Sequence, residues 1–126
     1  MADIDRAQAF YTRLFELDVM MRDGRMAALA VPGRQVLLLF QTGMSGEPTG
    51  TPFGLIPAHG SRGIQHLCFA IEREDVSLWE ARLGEAGIEI ESRLEWPQGT
   101  ISLYFRDLDG HSVELSTPFL WPNDHV

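Results

Sequence analysis

Cysteine is almost absent from this chain. Its 126 residues hold one, Cys68, so no intrachain disulfide can form and nothing asks for an oxidising compartment. The cytoplasm is the expected location. Long apolar runs are missing too. No window approaches the ~18 consecutive apolar residues of a membrane span, and the N-terminal stretch MADIDRAQAF is acidic with no apolar core, unlike a signal peptide. Basic residues are scarce: ten Lys and Arg stand against eighteen Asp and Glu, for a net charge of −8. A nucleic-acid partner needs a basic face, so that class is excluded, as is a membrane partner. What remains is 44% hydrophobic and 22% charged, the make-up of one ordinary globular domain with its own core.

Asp3 is a candidate helix N-cap, and Ile4, Ala7, Phe10, Tyr11, Leu14 and Phe15 follow at helical spacing. This predicts an amphipathic helix over residues 5–16. Three short strands are expected next, near 18–22, 25–31 and 34–41, with Asp23-Gly24 and Pro32-Gly33 as hairpin turns. The third, QVLLLF, is apolar on both faces, which predicts a central, covered strand. Residues 42–63 are rich in glycine and proline and lack periodicity. They read as a linker or lid. A strand over 64–71, a helix over 72–86 stopped by Gly87 and a strand over 88–96 come next.

The most informative stretch is residues 102–117, SLYFRDLDGHSVELST. It reads as strand, tight turn, strand, with Asp107-Leu108-Asp109-Gly110 as the turn. On its second strand Val113 and Leu115 take one face and Ser112, Glu114 and Ser116 the other. A carboxylate in the middle of such a strand is costly unless a cation meets it.

Set side by side, the halves repeat: an amphipathic helix, then three strands joined by tight turns. The second half has one strand more, ahead of its helix; the first half begins at the helix. This points to two copies of one supersecondary unit. The expected class is α+β: two βαβββ units forming a curled mixed sheet with a cleft, the first strand of unit one missing. Unit one is expected over 3–42, the lid or linker over 43–63, unit two over 64–118 and a tail over 119–126, all one domain.

Three segments carry a family likeness: AQAFYTRLFEL, GIQHLCFAI and SLYFRDLDGHSVEL. With these the chain resembles the vicinal oxygen chelate superfamily, which includes glyoxalases, bleomycin- and fosfomycin-resistance proteins and extradiol dioxygenases. The resemblance implies a divalent metal in a cleft, held by a residue on the opening strand of unit one, a His on the opening strand of unit two and a Glu on the last strand. By motif those last two are His66 and Glu114, with Glu114 also a candidate catalytic base. The resemblance also implies a small oxygen-chelating substrate, a homodimer, and zinc, manganese, nickel or iron as cofactor. The opening strand of unit one has no counterpart, so its ligand is not found. The fourth ligand seen in some members would fall within 36–40, where every residue is apolar.

Each residue also has a plainer reading. His66 can be a hydrogen-bonded strand histidine, and Glu114 can pair with Arg106 or with His66. His59, in the Gly/Pro-rich stretch, closes over a ligand or is solvated. Cys68, on the His66 face, lines the cleft or is a small buried residue. Ser102 and Tyr104 share a face that is pocket or solvent. Two functions follow: a metal-dependent lyase, isomerase, transferase or dioxygenase, or a metal-free small-molecule binder of the bleomycin-resistance type.

Overall fold

A computed structural model describes residues 1–122. Two compact units divide it, Met1–Gly63 and the chain from Ile64 onward. The last four residues of the expected tail lie outside the described range; Phe119 and Trp121 within it are exposed.

Unit one opens with helix α1, Ile4–Phe15. Asp3 caps it, its side chain accepting from Arg6 N at 3.2 Å, which satisfies one of the orphan donors of the first turn. Ile4, Ala7, Tyr11 and Leu14 form the buried stripe. Strands β1 (Val19–Arg22), β2 (Met26–Val31) and β3 (Gln35–Phe40) make an antiparallel sheet in the order β1-β2-β3. The Asp23 carboxylate builds the first turn by accepting from the backbone of Arg25 and Met26. In the second, Gly33 sits at φ +91°, a left-handed conformation that glycine adopts without strain.

The expectation for QVLLLF was wrong on both counts. β3 lies at the end of the three-stranded order, and β2 is the central strand. The register pairs Ala27 with Leu39 and Leu29 with Leu37, and on that face Ala27, Leu29 and Leu39 are buried. The opposite face carries Met26, Ala28, Ala30, Val36, Leu38 and Phe40. There Val36 and Leu38 are 52% and 47% exposed. Within unit one the single helix α1 meets β2 and β3, and one helix covers one face of a sheet. The 42–63 stretch is also more regular than expected: β4 (Thr49–Thr51) and β5 (Gly54–Ile56) form a small exposed hairpin.

Unit two runs β6 (His66–Ala70), a turn of 3-10 helix, α2 (Val76–Glu85), β7 (Ser92–Glu95), β8 (Ile101–Arg106) and β9 (Ser112–Ser116). Its sheet has the order β6-β9-β8-β7, with β6 parallel to β9 and the other pairs antiparallel. Leu103, Phe105, Val113 and Leu115 are wholly buried on one face and form the core with Val76 and Leu83 of α2. Each such side chain stabilises the fold by roughly 1.5–3 kcal/mol. Gly87 ends the helix region at φ +71°. The β8–β9 turn closes as the sequence suggests: Asp107 accepts from the backbone of Asp109 and His111, and Gly110 takes φ +82°. The fold is mixed α+β with curled, unclosed sheets.

Candidate functional site

The polar face of the unit-two sheet gathers one connected group. In register, Cys68 on β6 and Tyr104 on β8 flank Glu114 on β9, while Ser102 lies opposite Ser116. Alternation puts all of these on the side away from Val113 and Leu115. Glu114 is 6% exposed and Ser102 is fully buried.

Hydrogen-bond directions in this group follow from donor chemistry. The Trp96 indole donates to Ser102 Oγ at 2.9 Å. Indole N–H is a donor only, so Ser102 spends its one proton on Glu114 Oε2, 2.7 Å away. That oxygen is then an acceptor, and Oε1 is left to face His66 Nε2 at 3.2 Å. The other imidazole nitrogen, Nδ1, lies 3.1 Å from the Ser112 carbonyl oxygen. A carbonyl only accepts, so Nδ1 carries a proton. A neutral imidazole has one N–H. Both contacts are satisfied by a proton held between Nε2 and Oε1, on the ring or on the carboxyl, or by a cation in its place. The observed 3.2 Å is an ion-pair or hydrogen-bond distance, and the two groups offer a divalent ion one imidazole and one carboxylate ligand.

Tyr104 completes the group. Its ring stacks on His66 with centroids 6.2 Å apart, and its hydroxyl lies within hydrogen-bonding reach of Ser102 and Glu114. Burial, and then the Glu114 charge, push its phenol above the ordinary value of 10.0, so it keeps its O–H at neutral pH.

Of the residues singled out in the sequence, His66, Glu114, Ser102 and Tyr104 come together. Cys68 lies in the same register, but its side chain is exposed rather than buried. His59 belongs to unit one, where its ring meets Phe40 edge-on at 4.3 Å. Arg106 does not pair with Glu114; it bonds Glu91 at 2.7 Å and holds that carboxyl below its usual range. Among the described residues no group of three or more His, Cys, Asp or Glu is placed to hold a metal. Trp96 went unassigned in the sequence because it lies at a strand end, outside the alternation that aligned the others. Its contact with Ser102, six residues on across the Pro97–Gly99 turn, is not legible without the turn geometry.

The family model described as Glyoxalase/Bleomycin resistance protein/Dioxygenase superfamily matches residues 1–115. The chain belongs to that superfamily. It is similar to a lactoylglutathione lyase from Agrobacterium tumefaciens of known structure, with 35% identity, a TM-score of 0.86, and 96% of this chain and 90% of that one covered. It is 34% identical over 119 residues to the glyoxalase domain-containing protein RDO1 of Mycosarcoma maydis, covering 91% of this chain and 62% of that protein. A shorter match, 38% over 53 residues, is to the metallothiol transferase FosB of Bacillus licheniformis, covering 41% of this chain and 34% of FosB. The chain thus spans less than two thirds of either of these two curated relatives. Among the described residues no helix is long and apolar enough to cross a membrane.

Proposed function

We propose that this superfamily member is a metal-dependent enzyme, a lyase, isomerase, transferase or dioxygenase, acting on a small substrate that presents two neighbouring oxygens. His66 and Glu114 are the metal ligands. The observation that carries this reading is the imidazole with acceptors on both nitrogens, 3.1 Å and 3.2 Å away. The names of the relatives, a lactoylglutathione lyase and a metallothiol transferase, support the same reaction classes. A bound divalent ion supplies Lewis acidity toward a developing negative oxygen. An imidazole and a carboxylate suit zinc, manganese, nickel or iron alike.

The chain's own groups have separate tasks. Ser102 occupies Oε2 of Glu114 and fixes the carboxylate so that Oε1 alone is presented. In this reading Glu114 also acts as the base toward a substrate carbon or hydroxyl. Tyr104, which keeps its O–H, can give one back.

The test is thermal unfolding with and without zinc or manganese. A metal that binds only the native state raises the midpoint. The wild type should gain several degrees, and Glu114→Ala should gain none; a full response in the variant overturns the ligand role.

A second reading, the metal-free binder, is favoured by the want of a third ligand among the described residues and by the all-apolar face of Val36, Leu38 and Phe40. It requires that metal leave the midpoint of both proteins unchanged. In either case we propose a homodimer, because an apolar sheet face with Val36, Leu38, Met20 and Met21 about half exposed is stabilised by a second subunit. A clean monomer in sedimentation at micromolar concentration refutes it. The cytoplasm belongs to the same proposal and rests on the chain's single cysteine, which allows no intrachain disulfide.

A further inference from the structure

Unit one holds a cavity of about 700 Å³, within the roughly 300–1,000 Å³ of small-molecule pockets. Phe40, the turn through Gly43 and Ser45, and the segment through His59 and Arg62 line it. The charge of this lining is opposite to that of the chain. The whole sequence carries eighteen acidic residues against ten basic, yet no Asp or Glu lines the cavity, while Arg62 and His59 do.

A second guanidinium lies beside Phe40. The Arg25 guanidinium lies 5.7 Å from the centre of the Phe40 ring, and its Nη1 is buried with no hydrogen-bond partner. The nearby carboxylate of Asp23 is engaged by the backbone N–H groups of Arg25 and Met26. A buried, unsatisfied guanidinium nitrogen is costly, and a neighbouring anion offsets that cost. Phe40 is thus a ring with Arg25 over it and His59 against its edge, at the side of a cavity that also meets Arg62.

We propose that this cavity binds a small organic anion, a single carboxylate on an aromatic or short acyl body. The body rests against Phe40, and the carboxylate is met by Arg62, whose planar fork matches two carboxylate oxygens, with His59 beside it. This site does not rest on the metal reading of unit two.

Benzoate is the probe, titrated into the EDTA-treated full chain at low ionic strength and followed by amide ¹H–¹⁵N spectra. Saturable shifts are expected at residues 40–46 and 59–62, weakening as salt is added. Benzamide has the same shape without the charge and should bind about ten- to a hundredfold more weakly, as should benzoate to Arg62→Gln. Glu114→Ala should bind benzoate as the wild type does. Equal binding of benzamide and benzoate to the wild type overturns the proposal, and so does an unaltered affinity in Arg62→Gln. Shifts confined to other residues, or none that saturate by about 10 mM, well above the millimolar affinity expected of one charged contact and one aromatic wall, also overturn it. The benzamide comparison needs no variant, so it decides the matter even if Arg62→Gln fails to fold.

Discussion

Leu38 holds in unit one the register position that Glu114 holds in unit two. Met1 N donates to Phe40 O at 2.8 Å, and Ile71 N donates to Ser116 O at 3.0 Å. Counting back two residues along each strand aligns Leu38 with Glu114. The hairpin registers extend the match: Ala28 pairs with Leu38 as Tyr104 pairs with Glu114, and Met26 pairs with Phe40 as Ser102 pairs with Ser116. The repeat has kept its backbone and exchanged its chemistry. Ser102, Tyr104, Glu114 and Ser116 correspond in register to the apolar Met26, Ala28, Leu38 and Phe40.

Ser102→Ala should destabilise the protein by about 1–3 kcal/mol in urea unfolding, because it strips partners from a buried carboxylate oxygen and from the Trp96 indole at once. Trp96 fluorescence should change in the folded state. A variant as stable as the wild type, with unchanged emission, would show that the two contacts are not made in solution.

Asp23 gives an acid-limb prediction. Its carboxyl is held below its ordinary 3.8 chiefly by the Arg25 backbone N–H, then by that of Met26. A lowered folded value means that the unfolded chain takes up the proton first as pH falls. The charge therefore stabilises above pH 3.8, and this contribution is lost as pH drops through the lower, folded value. Asp23→Asn keeps an acceptor oxygen but has no charge. It should be less stable than the wild type at pH 7, and the gap should close in acid.

Tyr104 gives the alkaline counterpart. Its folded phenol keeps a proton beyond the ordinary 10.0, through burial and the Glu114 charge. Between those two values the folded state carries more protons than the unfolded one, so stability falls as pH rises through them. Tyr104→Phe lacks this group and should lose less stability above pH 10.0. Parallel alkaline curves for the two proteins would contradict the assignment.

Leu103→Ala and Val36→Ser separate core from surface. Leu103 is fully buried, and its truncation should cost about 2–5 kcal/mol. Val36 is 52% exposed, so its change should leave unfolding of a monomer within about 0.5 kcal/mol. In the proposed homodimer it should raise the dissociation constant measured by sedimentation. A stability loss at Val36 as large as at Leu103, independent of protein concentration, would mean that the face is covered within the chain itself.

The sequence by itself determined the local elements and the family. Asp3 as a cap, the buried stripe of α1, the Asp107–Gly110 turn and the phase of Val113 against Glu114 all follow from short-range chemistry: a side chain bonding its own backbone, or the period of helix and strand. Those same periods placed His66, Glu114, Ser102 and Tyr104 each on a face. Tertiary structure alone decided the rest, because it depends on which strands become neighbours. QVLLLF looked like a buried centre by composition, yet pairing put it at the end of its sheet. Arg106 and His66 both looked like partners of Glu114; strand pairing gave it His66, and Arg106 went to Glu91. The chain of contacts through Trp96, Ser102, Glu114 and His66 rests on distances of 2.7–3.2 Å across three strands and a turn, and periodicity along a single strand holds no information about distances between strands.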